Sequence, residues 1–356
     1  MVVVASPLPE RAVATPPVQP AGTARRAWID VARGIGILLV VWGHVVRAHQ
    51  QIGPGTIWGA EDRWLYGFHM PLFFMLAGLF LWRSIGRGRG AYLRGRWPAI
   101  IWPYILWSLL SIVIGLVIAP YVNNPPRYSW LITFLVEPTY QYWFLYALLI
   151  CQLAVVAMWP SRAALAVAAI VGYGIICWFG GGGIIGRSFL SLPYVASGVL
   201  LADYLMRIAS SSWAATALML FSSAGYVALG NAGVPLQPGN LAGLLAGFLG
   251  GAATIGAAML ISGSAIAPPL RLLGEASLAI YVAHVFSAAG IRIALKLVGI
   301  APASALSMAA AMVAGVVCPL LFWQALRKRG WLHLAALGED PPRVSPTVIA
   351  SPATAH

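Results

Sequence analysis

From residue 28 onward the chain alternates long apolar runs with short segments of polar, glycine and proline residues. A helix that crosses a bilayer needs about 20 predominantly apolar residues. Runs of that kind fall at 29–46, 64–82, 98–119, 140–159, 163–179, 189–206, 213–230, 241–262, 276–298 and 304–326. The pattern predicts an all-α fold, a polytopic membrane helical bundle of about ten transmembrane helices. Ten crossings bring both ends of the membrane region to one side. The flanking segments, 1–27 and 329–356, carry stretches such as PPVQP and GEDPPRVSP and read as disordered tails around one ten-span domain at 28–328. No basic region with a short apolar core and small-residue cleavage site precedes the first span, so a signal peptide is not expected.

Composition agrees with the periodicity and narrows the function. With 60% hydrophobic and 9% charged residues and a mean hydropathy of +0.83, the chain is unlike a soluble domain, in which charged residues make up about 25%. The net charge of +13 does not imply a nucleic-acid partner, because the basic residues sit in short loops between apolar runs. Fifteen of the 22 Lys and Arg residues fall on the side that holds the two ends, including Arg83, Arg87, Arg89, Arg94 and Arg96 in one loop, and six fall on the other. Since cytoplasmic loops carry the excess of Lys and Arg, both termini are expected in the cytoplasm. Cys151, Cys177 and Cys318 lie inside apolar runs without metal-ligand spacing, so neither a metal site nor a disulfide framework is expected.

The first run, Trp28 to Arg47, nevertheless contains Asp30, Arg33 and His44. Eleven residues separate Arg33 from His44, three helical turns plus about 20°, so both lie on one stripe roughly 16 Å apart. Ionisable groups at bilayer depth cost about 2.5–3.5 kcal/mol each on insertion scales and usually face a protein-lined or water-filled path. The plainer alternative is that Asp30 and Arg33, three apart, neutralise each other. In the second run His69 precedes Pro71, which should kink the helix and open a cavity beside His69, close to His44. Alternatively His69 is satisfied by a backbone carbonyl. In the ninth run Ser277, Tyr281 and His284 follow i, i+4, i+7 spacing and share a face. That face either lines the path or ties this helix to its neighbours. The longest loop on the side away from the termini, 121–139, is long enough to cover a site but not to form a domain.

Together these residues resemble the acyltransferase-3 family. The matching features are Asp30, Arg33 and Gly34 with ten residues between Arg33 and His44, then Phe68-His69-Met70-Pro71-Leu72-Phe73, Pro103-Tyr104, Tyr142-Trp143-Phe144-Leu145, and Gly274-Glu275-Ala276-Ser277 through Tyr281 and His284. Their order and spacing span nearly the whole membrane region. The chain departs from the family at Ala99, where a second arginine three beyond Arg96 is usual, and at Ala77-Gly78, where a Ser-Gly pair is usual.

The resemblance implies an integral membrane O-acyltransferase of a bacterial plasma membrane. It would move acetyl from acetyl-CoA, or another acyl group from acyl-CoA, to a hydroxyl of a cell-surface or lipid-linked carbohydrate. Acyl-CoA is then a donor substrate, with no permanently bound cofactor. Such a transfer needs a base for the hydroxyl proton, and a histidine titrating near neutrality suits it. His44 is the first candidate, with His69 or His284 assisting. Arg33 with Asp30, Arg94 and Arg96 are candidates for holding the CoA end, and Ser277 and Tyr281 for lining the acyl path. Two other readings remain: a carrier or flippase for a polar glycolipid or small metabolite, although no inverted repeat of interrupted spans is evident, and an inactive sensor of the same fold.

Overall fold

The computed structural model describes residues 21–49 and 57–338, and the greater part of each expected tail lies outside them. Fifteen α-helices follow one another: α1 (Ala21–His49), α2 (Ile57–Tyr66), α3 (His69–Gly78), α4 (Leu81–Gly86), α5 (Arg89–Arg94), α6 (Trp102–Val117), α7 (Trp130–Thr133) and α8 (Trp143–Met158). The second half comprises α9 (Arg162–Phe179), α10 (Gly183–Ile208), α11 (Ser212–Asn231), α12 (Leu241–Ile261), α13 (Ala267–Glu275), α14 (Ser277–Leu297) and α15 (Ala305–Arg329). No strand is present among the described residues. Ten helical segments are long and apolar enough to cross a membrane, as the hydropathy pattern predicts.

Several helix ends are set locally. Ser161, Ser211, Asn240 and Ser304 accept hydrogen bonds from backbone N–H groups three residues on, capping α9, α11, α12 and α15. Gly330, left-handed at φ 70°, ends α15.

The second span differs from the single kinked helix expected at 64–82. It is three short helices, with α2 and α3 parted at Gly67 and Phe68. Pro71 lacks an N–H, and its ring would meet the carbonyl four residues back, that of Gly67, so the helix is interrupted there. A second irregularity, one wide π-type turn, spans Trp97–Ile101 before α6. It carries Pro98 and is followed by Pro103, each of which withdraws a donor from the α-helical ladder.

α1 is the axis of the bundle. It packs against α2, α3, α12, α13, α14 and α15, and 61% of its membrane window is buried, against 22% for α9 and α11, which therefore lie at the lipid-facing edge. Two glycines bring α1 and α13 to backbone contact: a Cβ on Gly274 would stand 1.9 Å from the Asp30 carbonyl oxygen, and one on Gly34 2.0 Å from that of Leu270. Gly78 and Gly198 do the same for α3 and α10, where added Cβ atoms would stand 2.3 Å from the Val195 oxygen and 2.1 Å from the Met75 oxygen. Close approach through small residues is how helices associate where lipid removes the hydrophobic drive.

Beyond α15 the described part of the C-terminal segment folds back on the bundle. Leu332, Ala336 and Leu337 are buried, and the Trp107 Nε1–H donates to the Ala335 carbonyl at 3.0 Å. Apolar residues at 331–337 give this piece something to bury, which the polar 339–346 lacks.

Candidate functional site

Among the described residues one cavity lies toward each end of α1. The first, about 470 Å³, lies toward the arginine-rich end and is lined by Arg33 and Val40 of α1, Phe73 of α3, Tyr92, Arg96 and Ala99 around the wide turn, Gln152 of α8, and Glu275, Ser277 and Tyr281. Its polar wall is a small network. The Tyr92 hydroxyl donates to Gln152 Oε1 at 2.7 Å, and Arg96 Nη1 donates to the same oxygen at 3.3 Å. A groove of about 510 Å³ adjoins it through Arg33, Phe80 and Ser84 and adds Asp30, Arg83 and Arg87.

Asp30 and Arg33 pair at 3.4 Å with about a third of each side chain exposed. A pair so exposed is a weak tie. Both expectations for Arg33 therefore hold together: it neutralises Asp30 and also lines the cavity.

The second cavity, also about 470 Å³, opens toward the other end and is lined by His44 and Arg47 of α1, Ser111 of α6, Asn123 and Gln141, and His284 and Arg292 of α14. The two histidine rings lie 5.0 Å apart, centroid to centroid. His284 is fully buried, with Nδ1 at 2.9 Å from the Ile280 carbonyl and 2.8 Å from that of Tyr281. Carbonyls only accept, so Nδ1 carries the proton and Nε2 keeps a lone pair. That Nε2 has no hydrogen-bond partner among the described residues.

A thin layer separates the two spaces. Val40 lines the first and His44 the second, one turn or about 6 Å further along α1. The Tyr281 hydroxyl, on the wall of the first cavity, donates to the carbonyl of Gln141, on the wall of the second. Tyr142 completes the layer, donating to the Val282 carbonyl at 2.9 Å while its oxygen lies 2.7 Å from the Ser111 hydroxyl. Tyr281 thus both lines a cavity and ties α14 to a neighbouring segment.

The structure does not bring all the expected residues together. His69 lines neither cavity. It is 2% exposed, with Nδ1 2.7 Å from the Leu65 carbonyl and its ring at the edge of Tyr66, centroids 4.6 Å apart. The break at Gly67 leaves His69 in the first turn of α3, where the Leu65 carbonyl is within reach, so no space opens beside it. Arg94 points away from both cavities and is exposed, whereas Arg96 and Ala99 are on the first wall.

Other site residues were passed over in the sequence. Gln152 was signalled by its position as an amide inside the apolar run Phe144–Met158. Arg292 follows Tyr281 by eleven residues, the same spacing that relates Arg33 to His44. Tyr92 and Asn123 carry no such mark, because they reach the site through tertiary contacts. No three His, Cys, Asp or Glu side chains converge as a metal site would require among the described residues.

Comparison with curated proteins and with solved structures found no match. A family model described as an acyltransferase domain does match, over residues 26–324. Because that match begins at the first span, ends inside the tenth and takes in both cavities, the chain belongs to the acyltransferase-3 family and is a multi-pass membrane acyltransferase.

Proposed function

We propose that the protein transfers an acyl group, acetyl in the first instance, from acyl-CoA to a hydroxyl of a cell-surface or lipid-linked carbohydrate, with His44 as general base. The observation that carries this reading is the pair of cavities meeting within one turn of α1, His44 and His284 in one and no histidine in the other, which adjoins a groove lined by Arg33, Arg83 and Arg87. The basic end faces the cytoplasm of a bacterial cell by the positive-inside rule. Acyl-CoA then enters from that end. Its phosphates are met by Arg33, Arg83 and Arg87 along the open groove, and its acyl arm runs into the first cavity past Arg96 and Gln152. Arg83 and Arg87 lie where a second anchor is needed, given Ala99 on the wall. The acceptor enters the second cavity from the opposite side.

In the transfer step the acceptor oxygen attacks the thioester carbonyl while the imidazole of His44 takes the hydroxyl proton. The tetrahedral intermediate collapses, the C–S bond breaks, and the departing thiolate takes that proton back from His44, giving ester and free CoA. In this reading His284 supports the base: two carbonyls hold its Nδ1 proton, its Nε2 lone pair is bare, and the His44 ring stands 5.0 Å away, centroid to centroid. General base catalysis of this kind contributes about 10²–10⁴-fold.

A carrier would use the same two-ended layout, and the chemistry separates the two. Purified protein given acetyl-CoA and a glycan acceptor should release free thiol in proportion to acceptor, and loss of the protein from cells should remove acetyl groups from a surface polysaccharide, read by mass spectrometry. A carrier releases no CoA, so glycan uptake into vesicles without thiol release would replace this reading with that one.

A further inference from the structure

The second cavity contains a cation that nothing in the fold accounts for. Its described lining includes two arginines and no carboxylate. Arg47 is spoken for: its Nε and Nη2 donate to Asp62 at 2.5 and 2.9 Å, and its guanidinium lies over the Tyr66 ring. Arg292 is different. None of the ion pairs found among the described residues includes it. Its Nη1 donates to Asn123 Oδ1 at 3.1 Å, and Asn123 is itself anchored by donating from Nδ2 to the Ala48 carbonyl at 3.1 Å. The Nε–H of Arg292 is shut off from solvent and finds no acceptor.

A guanidinium donor left unsatisfied away from water is destabilising. The charge also stands on the side of the bundle that carries few basic residues, against the usual topological bias. One amide, Asn123, fixes the group in place without neutralising it, so the guanidinium on the cavity wall keeps its charge and unused N–H donors for a planar or tetrahedral oxyanion. Eight residues, about 12 Å of helical rise, separate Arg292 from His284 along α14, and both line the same cavity. An anion held there lies outward of the histidines, leaving a hydroxyl elsewhere on the same molecule free to reach them.

We propose that Arg292, positioned by Asn123, is an oxyanion subsite of the acceptor cavity, and that the acceptor is an anionic carbohydrate bearing a carboxylate or phosphate group. This rests on the reading of the second cavity as the acceptor side. A membrane phospholipid headgroup offers the same chemistry, and the experiment separates the two sources.

Wild-type protein, Arg292→Gln and Arg292→Lys are purified in detergent and in nanodiscs with and without phosphatidylglycerol. Each is titrated with glucuronic acid, glucose 1-phosphate and glucose, with thermal unfolding as the binding readout and thiol release from acetyl-CoA recorded alongside. The expected result is saturable stabilisation of the wild type by at least one charged sugar. The apparent affinity for it falls about tenfold or more in Arg292→Gln, as loss of one charge-assisted hydrogen bond implies. It should be partly restored in Arg292→Lys, and glucose should distinguish the variants little. Equal binding of charged and neutral sugars, or equal binding by wild type and Arg292→Gln, overturns the subsite. So does loss of charged-sugar binding whenever phosphatidylglycerol is present, which assigns Arg292 to the lipid. Charge-selective, Arg292-dependent binding with no thiol release from any acceptor keeps the subsite and removes acyl transfer. Thiol release that ignores both charge and Arg292 keeps acyl transfer and removes the subsite.

Discussion

The two ends of the bundle hold cavities of equal volume, about 470 Å³ each, that share α1 and α14 and differ in the rest of their walls. The histidine cavity is walled chiefly by the long regular helices α1, α6 and α14, with the 121–139 loop closing over it through Asn123. The other cavity is walled by α1, α3, α8 and α14 as well, but shorter pieces join them: α4, α5, the wide turn before α6, the junction of α13 and α14, and the folded-back residue Leu337. Regular helices hold a side chain within a narrow range of positions, as proton transfer requires. On the function proposed above, the contrast gives the histidine end the fixed geometry and leaves the shorter pieces of the other end free to shift around a long, charged donor.

The most severe way to break this contrast is to remove the base. His44→Ala should lower acceptor-dependent thiol release about 10²–10⁴-fold, while membrane insertion and unfolding temperature stay near wild type. Retained transfer would sink the assignment of the histidine end to chemistry. At the other end, Arg33→Gln should raise the KM for acyl-CoA about 10–100-fold with kcat largely kept, as expected when a charged hydrogen bond is lost from binding alone. A fall in kcat with KM unchanged would place Arg33 in the chemical step and erase the division between the ends.

Gly274→Ala tests the frame that both cavities share. Its Cβ meets the backbone of α1, which has no way to yield without parting from α13, so stability should drop about 1–3 kcal/mol in denaturant titration. An unchanged midpoint would mean that the two helices do not touch as described. Tyr281→Phe, the mildest change, removes one bond from the layer between the cavities. It should cost about 0.5–1.5 kcal/mol and raise the slow hydrolysis of acyl-CoA seen without acceptor, because water from the second cavity then reaches the thioester.

The membrane fold was legible because hydropathy and punctuation report span length directly, and eight of the ten spans are single helices or a helix with a short lead-in. The third begins with α5 and the wide turn, and the second turns on Pro71. Sequence marks where a hydrogen bond is lost, yet it does not say whether a helix bends or stops, and here Gly67, four residues earlier, let it stop. The same ambiguity left two readings of His69 open, and the one realised is the ring satisfied by a backbone carbonyl, that of Leu65. Helical spacing predicted that His44 and His284 each lie on a polar face, but not that these two faces meet each other at 5.0 Å. The roles of Gln152, marked only as an amide in an apolar run, and of Asn123 were not legible for a related reason. An isolated amide has many uses, and only its tertiary partners, Tyr92 with Arg96 and Arg292 with Ala48, single one out.

The crossing of α1 and α13 has a consequence for biosynthesis. Gly34 and Gly274 are 240 positions apart, so the ribosome needs roughly 10–50 s at ~5–20 residues per second to supply the partner of the first span. Throughout that interval the first span rests in lipid with its ionisable residues unhoused, and an acid and a base three residues apart on one helix are what the nascent segment has to quench its own charge. Chains stalled before residue 267 should consequently come out of membranes at alkaline pH more readily than the full-length protein, and more readily still when Asp30 is replaced by Asn.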